Sequence, residues 1–191
     1  MYHLCIDDIE SLLMMVDMMA INSDLHINWS HTVLAEVQDS LYLMPGALYI
    51  GNEVNEIKTL LGSCVAVTLW HPLDHIVAMT HIVLPSSQGK KGPRYASNAI
   101  PELTRVVKSH GYKPLEFETG LFGGGYMFNS GETGGVDIGD QNVKASRELL
   151  TQAGFQLNQL DVLGTVYRHI TIDRLTGLVE LKSTEVASTM G

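Results

Sequence analysis

Two side chains that could do nucleophilic chemistry lie on neighbouring segments of this sequence. Cys64 stands at the start of an apolar, β-rich run, and His81 lies in the next such run along the chain. A thiol is a weak nucleophile until a neighbouring base removes its proton, and an imidazole can take that proton and later return it to a leaving group. A cysteine and a histidine within contact distance would therefore suit acyl transfer.

The spacing of the two residues predicts how they could meet. Residues 71–74 read His-Pro-Leu-Asp, which is typical of a turn because proline fixes φ and aspartate favours turns. If this turn joins two antiparallel strands with Trp70 opposite His75, then Cys64 lies directly opposite His81 on one face. Opposed Cβ atoms are about 4.5–5.5 Å apart, whereas a slip of one residue would place the two side chains on opposite faces.

A structural explanation competes with the catalytic one. A single cysteine in a strand is more often a small buried apolar residue, and a histidine in a strand is usually held by ordinary hydrogen bonds. Metal binding is a weaker alternative. His71 and His75 have the four-residue spacing of helical zinc ligands, but Pro72 and the turn break that geometry, and no third ligand is nearby. We therefore expect neither a metal nor a cofactor.

The elements that must position these residues predict an α+β fold, with mixed or antiparallel β-sheets in layers and two main helices packed on one side. The run from Cys64 to Trp70 is apolar on both faces, which indicates a central strand. The runs that follow it come mostly as hairpins, which favours α+β over a doubly wound sheet. Strands are predicted at residues 47–50, 64–70, 76–84, 115–122 and 155–162, with a hairpin of 166–172 and 178–181.

The two helices have recognisable limits in the sequence. The first carries Ile100, Leu103 and Val106 at helical spacing, and Pro101 should fall in its first turn, where no backbone N–H is needed. The second should run over residues 141–152, with Asp140 as its N-cap and Gly154 as its stop.

Charge divides the chain unevenly. The 191 residues carry a formal net charge of −9, which argues against nucleic-acid binding. All 12 Lys and Arg residues lie at Lys58 or later, and residues 1–57 hold nine acids. We divide the chain into an acidic, Met-rich segment over residues 1–40, a compact domain over residues 41–182, and a loose tail over residues 183–191. The first segment should hold a short helix at Ile9–Ile21 and then a linker.

The N-terminal residues also bear on location. A secretory or mitochondrial leader needs early positive charge, and none is present before Lys58. The longest apolar run, from Leu12 to Ile21, is interrupted by Asp17 and falls short of the roughly 20 residues that span a bilayer. We expect a soluble, cytoplasmic protein without membrane insertion.

Two blocks around the cysteine and the histidine resemble a known family. Residues 59–67 read Thr-Leu-Leu-Gly-Ser-Cys-Val-Ala-Val, and residues 78–85 read Ala-Met-Thr-His-Ile-Val-Leu-Pro. Together they resemble the signature of the chemoreceptor glutamine deamidases, CheD. Weaker matches follow in order at residues 122–125 with Met127-Phe128, at Ile138-Gly139 with Asn142, and at Thr176-Gly177. The likeness covers about residues 41–182.

The resemblance implies a mechanism. The family hydrolyses the side-chain amide of particular receptor glutamines to glutamate and releases ammonia. Carried over by position, Cys64 is the nucleophile, His81 is the general base and acid, and Thr59 is the third catalytic residue. The backbone N–H groups of Cys64 and of neighbours such as Ser63 would bind the oxyanion, and Gly62 would leave room for the substrate.

The resemblance also implies partners and leaves alternatives open. The expected partners are the cytoplasmic helices of methyl-accepting chemoreceptors, and the family also binds a response-regulator phosphatase. A non-catalytic regulatory module, or a deamidase of a non-receptor protein, are the competing functions. Gln141 stands where the family usually has arginine. The basic loop with Lys90, Lys91 and Arg94 could attract acidic receptor helices if it borders the active site.

Overall fold

The computed structural model describes residues 25–28, 38–127 and 137–186, and the helix expected at Ile9–Ile21 lies outside them. Ten strands and two α-helices make up the described parts of the chain. The strands are β1 Leu25–Asn28, β2 Gln38–Tyr42, β3 Leu48–Gly51, β4 Val54–Leu61, β5 Val65–His71, β6 Ile76–Thr80, β7 Glu118–Gly123, β8 Leu157–Val162, β9 Val166–Asp173 and β10 Val179–Glu185. The helices are α1 Ala96–Ser109 and α2 Ile138–Ala153, and a short 3-10 helix spans Pro114–Glu116.

The strands form two mixed sheets. The six-stranded sheet has the order β1-β3-β6-β5-β7-β8, and the four-stranded sheet has the order β10-β9-β4-β2. The pairs β1–β3, β7–β8 and β2–β4 are parallel, and the remaining pairs are antiparallel. The predicted α+β class with mixed sheets and two helices is confirmed.

Two hydrophobic cores set the order of the layers. The first joins α1 and α2 to one face of the six-stranded sheet, and it includes Val65, Val67, Leu69, Ile100, Leu103 and Leu150. The second lies between the two sheets, and it includes Ile57, Leu61, Ala66, Val77, Met79 and Ile170. Because alternate residues of a strand point to opposite faces, β5 contributes to both cores, as its continuous apolar sequence indicates.

The residues expected to form a linker before Leu41 contribute strands instead. β1 pairs with β3 in the six-stranded sheet, and β2 pairs with β4 in the four-stranded sheet. Each of the two strands lies at an edge of its sheet, where polar residues are tolerated. The polar composition of this stretch therefore indicated a linker in the sequence. The division of the chain near Leu41 itself stays a prediction.

The β5–β6 hairpin has a register two residues away from the expected one. His71 opposes Ile76 and Trp70 opposes Val77, so the turn comprises residues 72–75. His71 belongs to the strand because its ring is buried against the ring of Phe117, with centroids 5.1 Å apart. His75 closes the turn in the left-handed conformation, with φ of +49°. The predicted direct opposition of Cys64 and His81 is therefore wrong.

Candidate active site

Cys64 lies where the chain crosses from one sheet to the other. β4 of the four-stranded sheet ends at Leu61, and β5 of the six-stranded sheet begins at Val65. The three residues between them, Gly62 to Cys64, form the crossover. The Cys64 side chain packs against the core between the sheets and is half-buried, with a free thiol.

His81 directly follows β6 and shares the inter-sheet face with Cys64. Val65 bridges Ile82 with hydrogen bonds in both directions, 2.9 and 2.8 Å long. Carrying this register one residue to either side sets His81 opposite Ala66 and Cys64 opposite Val83. The two side chains are therefore diagonal neighbours on one face, where Cα atoms are about 7–8 Å apart and long side chains still reach each other.

Thr59 reaches His81 from the opposite sheet. Along β4, Ile57, Thr59 and Leu61 are fully buried and face the core between the sheets. The Thr59 hydroxyl lies 2.7 Å from Nδ1 of His81 and donates to the carbonyl of Leu43 at 2.8 Å. One hydrogen bond thus joins the imidazole to the second sheet. The structure thus brings Thr59 and His81 together, and the catalytic role of Thr59 stays a prediction.

This hydrogen-bond chain sets the tautomer of His81. A carbonyl oxygen can only accept, so the single proton of the Thr59 hydroxyl goes to Leu43. The hydroxyl oxygen must then accept from Nδ1 of His81, which leaves Nε2 without a proton. Burial lowers the pKa of His81 from 6.5 to about 4, and the Leu43 carbonyl opposes that shift by raising it. At neutral pH the ring is a neutral base with its free lone pair on Nε2.

Two opposing effects act on the pKa of the Cys64 thiol. Burial raises the pKa of the Cys64 thiol, and the positive charge of Arg94 lowers it. The raised value and the lowered pKa of His81 together favour a neutral thiol beside a neutral imidazole over a preformed thiolate–imidazolium pair. Proton transfer would therefore accompany nucleophilic attack.

Gly62 does not leave an open space, contrary to expectation. A Cβ added to Gly62 would lie 2.7 Å from Sδ of Met127 and 3.4 Å from Cε1 of Tyr167. The missing side chain is therefore replaced by the Met127 thioether, which covers the crossover. By contrast, within the described parts of the chain the backbone N–H groups of Ser63 and Cys64 donate no hydrogen bond.

The glycine-rich segment packs against the backbone of the crossover. Gly124 N–H donates to the carbonyl of Cys64 at 2.7 Å, and Gly125 N–H donates to the carbonyl of Gly62 at 2.8 Å. A Cβ on Gly123, whose φ is +104°, would strike the carbonyl oxygen of Cys64. Only glycine allows this close approach, so the segment shapes the turn that carries Cys64.

Asn142 ties the two halves of the site together from α2. Its fully buried side-chain amide donates to the carbonyl of Ser63 at 3.1 Å and to that of Val83 at 3.0 Å. Ser63 directly precedes Cys64, and Val83 lies two residues after His81. The sequence singled out Asn142 only as a family match. No local pattern assigns its partners, because they lie 79 and 59 residues away.

Arg168 stabilises the turn at residues 163–164, a role that no local sequence pattern indicates. The side chain is buried, with Nε donating to Asp161 at 2.7 Å and Nη2 donating to the carbonyl of Leu163 at 2.6 Å. The turn it stabilises accepts a hydrogen bond from Tyr126 N–H through the carbonyl of Gly164. Arg168 therefore fixes the loop against which the end of the glycine-rich segment lies.

His71, the last residue of β5, has a structural role. Nδ1 of His71 accepts from the backbone N–H of Asp74 at 3.1 Å, and the ring packs on Tyr112 and Phe117. Across the residues that the structure describes, no three His, Cys, Asp or Glu side chains lie close enough to hold a metal ion.

No described helix is long and apolar enough to cross a membrane.

Comparison with known proteins identifies the family to which this chain belongs. Residues 83–183 match the family model described as CheD, chemotactic sensory transduction. The "Probable chemoreceptor glutamine deamidase CheD" of Pseudomonas syringae pv. tomato is 34% identical, with 74% of this chain and 88% of that protein covered. The "Probable chemoreceptor glutamine deamidase CheD 3" of Dechloromonas aromatica is 36% identical, with 74% and 85% covered. The chain belongs to the CheD family.

A third relative has a similar sequence identity to this chain. The "Probable chemoreceptor glutamine deamidase CheD" of Methanococcus maripaludis is 33% identical, with 72% of this chain and 91% of that protein covered. Among solved structures, the hypothetical protein YfiH of Bacillus licheniformis has a TM-score of 0.41 and 12% identity, with 78% of this chain and 67% of that chain covered. That structural similarity is too low to inform on the site.

Proposed function

We propose that this protein hydrolyses glutamine side chains of chemoreceptors to glutamate, with Cys64 as the nucleophile. The observation that carries the proposal is the placement of Cys64 and His81 on one face at adjoining strand ends, with the imidazole held by Thr59. Membership of the CheD family, whose relatives are named chemoreceptor glutamine deamidases, supplies the substrate. The deamidation takes place in the cytoplasm, where the receptor helices lie.

The first half of the reaction forms a thioester. Nε2 of His81 takes the thiol proton as the sulfur of Cys64 attacks the amide carbon. The carbonyl oxygen becomes an oxyanion. The N–H groups of Ser63 and Cys64, which donate no hydrogen bond to any residue that the structure describes, stabilise it. The C–N bond then breaks, and the nitrogen leaves as ammonia with the proton from His81.

The second half returns the enzyme to its starting state. His81, neutral again, takes a proton from water, and the resulting hydroxide adds to the thioester carbon. The tetrahedral intermediate collapses by breaking the C–S bond, and the sulfur regains a proton from the imidazolium. The product is a glutamate side chain. Thr59 keeps Nδ1 protonated throughout and so keeps Nε2 available.

A receptor assay with matched cysteine variants tests the proposal. Purified cytoplasmic fragments of chemoreceptors are incubated with the protein, ammonia is measured, and glutamine-to-glutamate conversion is mapped by mass spectrometry. Cys64→Ala should abolish conversion, whereas Cys5→Ala, which changes the other cysteine of the chain, should not. If the wild-type protein converts no glutamine in any receptor fragment, the proposal is wrong.

Binding of a response-regulator phosphatase stays a prediction, and the cysteine variants separate it from catalysis. Binding needs no nucleophile, so Cys64→Ala would retain it. A protein that binds such a phosphatase but converts no glutamine would be a regulatory module instead.

A further inference from the structure

The loop between β6 and α1 carries a concentration of positive charge in an otherwise acidic protein. Residues 75–101 contain Lys90, Lys91 and Arg94 and no Asp or Glu, whereas the whole chain has a net charge of −9. All three side chains are exposed, and none forms an ion pair within the described parts of the chain. Three positive charges close together, with no acid among residues 75–101, raise the local positive potential and so favour an anionic partner.

The backbone of this basic loop, residues 86–94, is held firmly. Asn98 of α1 donates to the carbonyls of Lys90 and Gly92, at 2.8 and 3.1 Å. Ser97 accepts from the backbone N–H of Ser87 at 3.0 Å. The loop therefore presents its cations on a fixed frame, and less conformational entropy is lost when a partner binds.

Arg94 joins the loop to the active site. Its carbonyl accepts from the N–H groups of Val83 and Leu84, at 2.8 and 3.1 Å. Val83 is also the residue opposite Cys64 and the one that Asn142 holds. Arg94 also packs against Gly46, because a Cβ added to Gly46 would lie only 2.9 Å from Cβ of Arg94. The N–H of Gly46 donates to the carbonyl of His81.

We propose that Arg94, backed by the rest of the basic loop, recognises a carboxylate on the receptor segment that carries the target glutamine. The inference rests on the proposed deamidation and adds a specificity-determining residue to it. A guanidinium offers a planar pair of donors that matches a carboxylate, which a single ammonium group does not. The partner is therefore an acidic protein segment, with one carboxylate close to the scissile amide.

A specificity ratio tests this assignment. A receptor fragment that the wild-type protein deamidates is compared with versions in which each acidic residue near the target glutamine is changed to Gln in turn. The readout is the ratio of kcat/KM for the unchanged fragment to that for each changed one. Because both substrates meet the same Cys64, any effect of Arg94 on the thiol cancels in this ratio.

The expected result is a loss of discrimination in the Arg94 variants and not in the control variant. The wild-type protein should favour the unchanged fragment by about fivefold at one position, the size of a partly exposed charge pair. Arg94→Gln should bring that ratio to about one, and Arg94→Lys should restore part of it. Lys182→Gln removes the same charge from an exposed position on β10 and should leave the ratio unchanged.

Two outcomes would overturn the inference and are distinguishable. Deamidation by the wild-type protein with an Arg94→Gln ratio equal to the wild-type ratio would refute the role of Arg94 and leave the proposed function standing. No deamidation by the wild-type protein would refute the proposed function, and this inference with it.

Discussion

Removing the Thr59 hydroxyl is the sharpest test of how the imidazole is positioned. Thr59→Val keeps the shape of the side chain and deletes the group that joins His81 to Leu43. Two fully or nearly buried groups, the Leu43 carbonyl and the Nδ1–H of His81, then lose their partner. Each unpaired buried group costs about 1–3 kcal/mol.

The expected loss lies at the lower end of that sum. The Leu43 carbonyl already raises the pKa of His81, so the ring can turn toward it and recover part of the interaction. We expect Thr59→Val to lower the free energy of unfolding by about 2 kcal/mol. The same rotation moves Nε2 away from Cys64, and a displacement of about 1 Å should reduce kcat/KM about 100-fold.

Urea unfolding and the rate of ammonia release measure the two effects separately. Thr59→Ser keeps the hydroxyl and should retain most of the activity. Thr119→Val is the matched control, because Thr119 is equally buried but its hydroxyl makes only a 3.5 Å contact with the carbonyl of Phe117. It should leave activity unchanged. Thr59→Val with wild-type kcat/KM would refute the positioning role.

Three further predictions follow from named contacts. Above pH 6.5 the low pKa of His81 has no effect on stability, but as the pH falls to about 4 the unfolded chain binds a proton that the folded chain excludes. The free energy of unfolding, measured by urea titration at several pH values, should therefore drop by about 3 kcal/mol in the wild-type protein but not in His81→Gln. Asn142→Ala should lower kcat/KM at least about tenfold, because the Asn142 amide clamps the carbonyls of Ser63 and Val83 beside Cys64 and His81. Ser146→Ala removes a buried hydroxyl without a partner among the described residues and should not lower kcat/KM, so equal losses would contradict the role of this Asn142 clamp. Gly123→Ala should lower the melting temperature more than Gly111→Ala, since both have positive φ but only Gly123 faces the Cys64 carbonyl, and equal shifts would argue against that close approach.

The sequence was most informative where local pattern and chemistry coincide. The apolar run of β5 predicted a central strand, and Gly154 predicted the end of α2, where it lies in the left-handed conformation with φ of +92°. The start of α2 was placed too late, because Asp137, not Asp140, accepts from the first backbone N–H groups. Element types were therefore more secure than their boundaries.

The start of α1 was predicted wrongly for a different reason. Pro101 lies inside the helix, five residues after its first residue, rather than in its first turn. Ala96 and Ala99 are fully buried and continue the apolar stripe of Ile100 and Leu103 toward the N-terminus. Packing of this first turn outweighs the one backbone hydrogen bond that proline removes.

The site itself was predictable only in part. Residue types and strand positions singled out Cys64 and His81, but the register depended on whether His71 belongs to the strand or the turn. That choice is made by the aromatic packing of His71 against Phe117, which no local pattern reveals. The Thr59–His81 bond joins two sheets, and the Asn142 clamp joins a helix to both strand ends, so each depends on tertiary structure.

In the proposed reaction, receptor glutamine is converted to glutamate through a thioester on Cys64. The most direct measurement is intact-mass spectrometry of a turnover mixture of the wild-type protein and a receptor fragment, quenched in acid. We predict a covalent complex of the two chains that has lost one ammonia, is attached at Cys64 and is cleaved by hydroxylamine. Cys64→Ala should give neither the complex nor the product. Glutamate formation by Cys64→Ala at the wild-type rate, with no complex in either sample, would contradict the account.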